Sequence, residues 1–382
     1  MKNFSKLTRR IAMTALVALA GGAQAAGTYV YVSNAEDGDI GTYIMQTDGS
    51  LSAGARVKAA AVVMPMAVSP DKRFLYAAAR SKPFSVHAYT IDPSSGALAP
   101  LAVSPLAESF PYISLDKTGR FLFGASYGAH LVSVNAVGFD GRVAAEPLQV
   151  IPIGRNAHSI RVDATNSFVY VPSLGNDQIF QFTFDERTGR LGSNTPAVAL
   201  MKPMTGPRHF AISKDNRFVY ALSELMATVT TFSLDAKTGL LSEISSASGL
   251  PPGSKLQPGA PRGAVGVAGA PPRNTDNDVW AADIHLTPDG KFLYMTERTS
   301  NSIGAFGVDG ATGKLSFIGS TPTEKQPRGI AVDPTGRFIV ATGEKSATIS
   351  VHAIDQASGA LKPVGRYPTG KGSNWVEIVS FD

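Results

Sequence analysis

Hydrophobic and polar positions alternate along this chain in a phrase that returns again and again: a polar turn, a basic residue, then a short aromatic-rich run. It reads SPDKRFLY (69–76), LDKTGRFLF (115–123), VDATNSFVY (162–170), SKDNRFVY (213–220), TPDGKFLY (287–294) and DPTGRFIV (333–340). TYVYVSN (28–34) is a first copy without its upstream half. The anchoring residues Tyr31, Tyr76, Phe123, Tyr170, Tyr220, Tyr294 and Val340 are separated by 45, 47, 47, 50, 74 and 46 positions. Apolar runs of this length, rich in aromatic and β-branched residues and bounded by turn residues, predict strands. A second phrase follows each first one: TDGSL (47–51), IDPSSGAL (91–98), FDGRV (139–143), FDERTGRL (184–191), LDAKTGLL (234–241), VDGATGKL (308–315) and IDQASGAL (354–361). Each places a glycine-containing turn between alternating runs, the signature of a hairpin.

Each unit therefore holds about four short strands and cannot bury both of its faces alone, so the units must stack. Seven copies predict an all-β fold, a seven-bladed β-propeller with four-stranded blades. The opening strand is missing from the first copy, and a spare strand, NWVEIVSFD (374–382), stands at the other end. The ring is expected to close by pairing this C-terminal strand with the N-terminal blade, which removes an exposed edge. One domain over residues 26–382 is expected. The single long gap contains a Gly/Pro-rich insertion, residues 248–278, read either as a solvated loop or as a cover for a ligand.

The N-terminus has a different character. MKNFSKLTRR is a basic head, IAMTALVALAGG is a short apolar stretch, and Ala23-Gln24-Ala25 supplies small residues where a signal peptidase reads. Residues 1–25 are predicted to be a cleaved signal peptide, with a mature chain from Ala26 located in the periplasm or secreted. No membrane insertion is expected once the signal is gone, and a monomer is expected. The formal charge of +5 shrinks to one excess positive charge when Lys2, Lys6, Arg9 and Arg10 are removed with that segment. No electrostatic footprint for nucleic acid remains. The chain has no cysteine, which excludes disulfides, thiolate nucleophiles and Cys-ligated metals.

Repeats also locate a site. With the anchor aromatic as zero, positions −12 and +4 flank the polar turn equally and meet at one end of each hairpin. At −12 stand Met64, Pro111, His158, Arg208, Ala282 and Arg328; at +4 stand Arg80, Tyr127, Leu174, Glu224, Arg298 and Glu344. One mouth of the ring thus gathers a histidine, four arginines and two glutamates, and function on a repeating scaffold shows where the repeats differ. Arginine presents a planar fork to a carboxylate or oxyanion, and glutamate can act as a general base towards water. His158 can share that role or hold the substrate. The six histidines show no metal-ligand spacing, so no metal and no cofactor are expected, and His87, His130 and His352 are read as surface or core residues. There is no G-x-S-x-G elbow, phosphate loop or dinucleotide fingerprint.

Gly206-Pro207-Arg208-His209, Ser223-Glu224-Leu225, Ala282-Asp283-Ile284-His285 leading into TPDGKFLYMTER, and Gln326-Pro327-Arg328-Gly329 resemble the β-propeller lactonase family. That family contains the bacterial propeller-type 6-phosphogluconolactonase and the fungal carboxy-cis,cis-muconate lactonising enzyme. The likeness spans the mature chain; Thr296-Glu297-Arg298 departs from a family text closer to Ser-Asn-Arg. The resemblance implies a hydrolase without a cofactor that opens the ring ester of a lactone, of a sugar or another organic acid. It implies His158, Arg208, Glu224 and Arg298 as catalytic residues, and His209, Arg328, His285 and Arg80 are expected to bind the substrate. Export speaks against a cytosolic sugar phosphate. A lactone-forming cycloisomerase and a non-catalytic propeller that binds a ligand or protein are the alternatives.

Overall fold

The computed structural model describes residues 27–261 and 274–381. They form seven four-stranded antiparallel sheets, each built from consecutive strands except the first. In that blade the C-terminal strand Ser373–Ser380 pairs with Thr28–Asn34, from Thr28 opposite Ser380 to Asn34 opposite Ser373. The ring therefore closes as the repeat pattern predicts. The expected signal peptide lies outside the described residues, and among these no helix is long and apolar enough to cross a membrane.

The innermost strands, in blade order from the first, are Ser373–Ser380, Val63–Val68, Tyr112–Leu115, Arg161–Val162, Pro207–Ile212, Ala281–Leu286 and Pro327–Val332. The second strands carry the anchor aromatics and are buried throughout, as in Phe218–Ser223 and Phe292–Glu297. Outer strands such as Leu315–Pro322 have one face in water, with half-buried and exposed residues alternating along them. The apolar core lies between blades. Phe168, Tyr170 and Phe210 join the fourth to the fifth, while Phe292, Tyr294 and Ile339 join the sixth to the seventh.

The two recurring phrases hold neighbouring blades together. Hydroxyls of Tyr31, Tyr170 and Tyr294 donate to the carbonyls of Gly96, Gly239 and Gly359, the turn glycines of the following blades, at 2.8–2.9 Å. Gly239 has φ +71° and lies against the Phe168 ring, where a Cβ would overlap the aromatic carbons. Only glycine serves both the left-handed turn and the close approach.

One irregularity governs the site. The pairing of innermost with second strand shifts register between Val63 and Met66, Pro207 and Phe210, Ala281 and Ile284, and Pro327 and Ile330. These bulges fall on the −12 positions. An extra residue in one strand turns successive side chains away from the strict up-down alternation.

Candidate active site

The bulge at Pro207–Phe210 sends Arg208 and His209 to different partners. The Arg208 Nε donates to Glu224 Oε2 at 2.7 Å, across the hairpin, as the repeat register anticipated. Arg298 reaches the same oxygen from the next blade, with Nη2 donating at 3.1 Å. Its Nε and Nη2 donate to the carbonyls of Trp280 and Ala281, and its guanidinium stacks 3.7 Å above the Trp280 ring. Arg208 Nη1 also donates to the Ala282 carbonyl. The triad is deeply buried, with exposures of 0% for Arg208, 3% for Glu224 and 3% for Arg298.

Around the triad stand the other residues of the mouth. Arg328 Nε lies 3.7 Å from Glu344 Oε1, too far for a hydrogen bond. Arg80 donates to Ser109 Oγ at 3.0 Å. His158 sits where the innermost strand of the fourth blade is broken: Ala157 makes an isolated bridge to Ser173, and regular pairing resumes only at Arg161. Its ring packs edge-on against Tyr127 and His209 at 5.7 and 5.2 Å between centroids. His158 Nδ1, Arg208 Nη2 and Arg328 Nε are buried without hydrogen-bond partners.

Electrostatics sharpen the picture. Four guanidiniums face two carboxylates. Burial, aided by Arg328, lowers Arg208 to about 10; burial with Arg328 and Arg208 lowers Arg80 to about 10. Both remain cations at neutral pH. Burial, then the charge of Arg208, holds His158 well below its ordinary value, so its imidazole is neutral. A neutral imidazole among guanidiniums that outnumber their carboxylates accommodates an anion or a developing oxyanion.

His209 points the other way. Its Nδ1 lies 2.8 Å from Asp283 Oδ1, and its Nε2 lies 3.1 Å from Arg208 Nη1. Arginine has no acceptor, so Nε2 must carry the lone pair and Nδ1 the proton. Burial lowers His209 to about 3, which agrees with that neutral tautomer. Asp283 Oδ2 accepts from the Ile330 amide at 3.0 Å and faces His285 Nε2 at 3.3 Å. Burial works to raise Asp283, but His285 and the hydrogen bond from His209 outweigh it and hold the carboxyl well below its usual range. A chain of contacts thus runs Asp283, His209, Arg208, Glu224.

Below that chain Tyr112, His209 and Trp375 form an aromatic plug, with centroids 4.9, 5.4 and 6.0 Å apart. On its far side, towards the polar turns, the axial channel opens into a cavity of about 350 Å³ that includes Arg161, Lys117, His285 and Glu377. Burial pushes the Glu377 carboxyl up to about 7, against the hydrogen bond it accepts from Trp375 Nε1 at 2.9 Å.

The structure thus brings His158, Arg208, Glu224, Arg298, Arg328 and Arg80 to one mouth. His209 stands at its floor, holding Arg208. His285 does not join them: it lines the axial cavity, because beyond the bulge the strand's alternation carries it past Asp283 to the other side of the plug. Asp283 was missed in the sequence, although it stands inside the quoted segment Ala282-Asp283-Ile284-His285; an acid between two potential histidine partners was the available signal. Glu377 carried none, since its meaning depends on ring closure. His130 accepts from the Asn156 amide, and His352 is buried against Thr323 and Ser350. Among the described residues no three His, Asp or Glu side chains could hold a metal ion. The described flanks of the insertion border the mouth, with the Gly259 amide donating to the Leu225 carbonyl at 2.8 Å. Residues 262–273 lie outside the described residues.

A family model described as "Lactonase, 7-bladed beta-propeller" matches residues 24–378. Two bacterial proteins named 6-phosphogluconolactonase are similar in sequence. The one from Pectobacterium carotovorum is 36% identical over 305 residues, 80% of this chain and 84% of its own. The one from Serratia proteamaculans is 36% identical over 306 residues, with the same coverage of 80% and 84%. Among solved structures, the periplasmic gluconolactonase of Pseudomonas aeruginosa superimposes with a TM-score of 0.78 at 27% identity, over 93% of this chain and 99% of that one.

Proposed function

Because the chain belongs to the seven-bladed β-propeller lactonase family, we propose that it is an exported hydrolase that opens the ring ester of a lactone at the mouth containing Arg208, Glu224 and Arg298. The observation that carries the assignment of the site is the Glu224 carboxylate gripped on Oε2 by two buried arginines, beside unpartnered N–H and imidazole nitrogens. With both guanidinium bonds on one oxygen, Oε1 is the atom that meets the attacking water.

In this mechanism the lactone carbonyl oxygen lies towards Arg208 Nη2, where positive charge is fixed in advance. Water adds to the carbonyl carbon while Glu224 Oε1 takes its proton. The tetrahedral oxyanion is stabilised by Arg208 and Arg298. The intermediate then collapses, the ring C–O bond breaks, and the protonated Glu224 returns the proton to the departing alkoxide, yielding a hydroxy acid. General-base assistance of this kind contributes roughly 10²–10⁴ in rate, and one electrostatic stabiliser roughly 10²–10³. Neutral His158 holds a substrate hydroxyl, and Arg80 and Arg328 favour a substrate or product bearing negative charge.

The N-terminal segment supports an extracytoplasmic substrate, hence an unphosphorylated sugar or organic-acid lactone. The structural relative named a periplasmic gluconolactonase supports the same choice. The test is continuous titration of acid released from a panel of sugar and aliphatic lactones by the purified mature protein, corrected for spontaneous opening, in ¹⁸O-labelled water. Incorporation of one labelled oxygen into the product is expected. Turnover without label would make the protein a cycloisomerase, and no turnover on any lactone would favour a ligand-binding propeller.

A further inference from the structure

We infer that the axial cavity beyond the aromatic plug is a second binding site, taking a small carboxylate that carries several hydroxyl groups. The inference rests on the cavity alone and does not require the reaction assigned to the mouth.

Residues from all seven innermost strands or their adjoining turns line the cavity, and its volume of about 350 Å³ falls in the range that holds small ligands. On one wall stand Arg161 and Lys117. Neither forms an ion pair with a carboxylate among the described residues. Arg161 donates weakly to the Phe210 carbonyl, at 3.4 Å, and lies within hydrogen-bonding reach of the Tyr112 hydroxyl; burial and then the Arg161 charge lower Lys117, against the pull of Asp163 and Asp116. Carboxylates close by are engaged elsewhere. Asp116 is bound by Thr118, Phe121 and Asn166, and Asp283 by His209, Ile330 and its own following amide. Arg161 and Lys117 face one cavity with no ion pair among the described residues to hold either guanidinium or ammonium, and arginine's fork suits a carboxylate.

The opposite wall has different chemistry. Glu377 accepts from Trp375 through Oε1 and leaves Oε2 to the cavity. His285, with its side chain 35% exposed, is tied to Asp283 through Nε2 and leaves Nδ1. A carboxyl close to its midpoint at neutral pH can donate or accept, and His285 Nδ1, opposite the nitrogen that faces Asp283, accepts from a hydroxyl. The floor is the edge of the Tyr112–Trp375 pair, an apolar surface for the C–H face of a polyol. Carboxylate at Arg161 and Lys117, hydroxyls at Glu377 and His285, and carbon chain over the floor describe a polyhydroxy acid.

Calorimetric titration of sodium D-gluconate into the purified mature protein tests the site. A saturable component is expected besides any product binding at the mouth, weakened roughly tenfold or more by Arg161→Met, since a charge-assisted bond is lost. Lys117→Met, nearer the cavity rim, gives the same reading should the Arg161 variant not fold. Arg217→Lys, on an exposed polar turn paired with Asp215, should leave the affinity unchanged, and D-glucose should bind far more weakly. Loss of binding in Arg208→Lys with retention in Arg161→Met would place the ligand at the mouth and overturn the inference. So would the absence of saturable binding at millimolar concentrations. Inorganic phosphate binding as tightly as gluconate would overturn the part assigned to the hydroxyls.

Discussion

Replacing Glu224 by glutamine keeps the shape of the side chain and removes its charge, and the structure makes the consequence twofold. Arg208 and Arg298 both donate to Glu224 Oε2, at 2.7 and 3.1 Å, from positions 0% and 3% exposed. Two buried guanidiniums would then face one another across a neutral amide. Breaking a buried ion pair by removing one partner costs about 3–5 kcal/mol. That is a sizeable part of the 5–15 kcal/mol, roughly, that holds a domain folded. The Glu224→Gln protein should therefore fold but melt several degrees lower. Its kcat on any lactone that the wild type accepts should fall by roughly 10²–10⁴ once the general base is gone. Glu224→Asp keeps the charge but retracts the carboxylate, so it should recover stability while remaining slow. Melting is followed by circular dichroism, and kcat by acid release well below the melting transition. A Glu224→Gln protein with wild-type melting and turnover refutes both parts. Lowered melting with full turnover would leave Glu224 as a strut and the mouth without its base.

Asp283→Asn weakens the group that fixes the His209 tautomer and so loosens Arg208. We expect kcat to fall about tenfold with little change in KM, an effect a purely structural role would not divide in that way. Glu377 has a folded pKa of about 7 against an ordinary 4.5, so its ionisation costs more in the folded protein than in the unfolded chain. Its contribution is fully present below about pH 4.5 and is lost as pH rises through 7, a change of about 2 kcal/mol after allowance for partial exposure. Urea unfolding across this range should show that decline in the wild type and a flatter curve in Glu377→Gln; equal slopes would refute the assignment. Deleting Ser373–Ser380 strips the first blade of its inner strand and removes buried Trp375, Val376 and Val379, worth together roughly 6 kcal/mol in side-chain burial. Insoluble or molten protein is expected, and an unchanged melting curve would contradict closure by this strand. Mass spectrometry of exported protein should find an N-terminus at or near Ala26; an intact Met1 would contradict the proposed processing.

The propeller was legible in the sequence because its determinants are local and repeated. A strand with a two-residue period, a turn that needs glycine, and an aromatic anchor recur in each unit, and the unpaired halves at the two ends specify closure. The same register placed Arg208 opposite Glu224 and Arg328 opposite Glu344, since pairing about a turn is a matter of counting. What lay beyond counting was decided by tertiary structure. Strict alternation cannot show that a bulge turns Arg208 towards Glu224 while the next residue, His209, turns to Asp283. Arg298 meets Glu224 only because two blades pack side by side, 74 residues apart in the chain. His285, grouped with the mouth on sequence, went to the axial cavity, whose lining comes from all seven blades and includes Glu377 from the closing strand. Strand period and turn chemistry act over a few neighbouring residues and can be read in order. The burial of a charge, its partner and the side of the channel it faces depend on residues distant in the chain, which only the closed ring brings together.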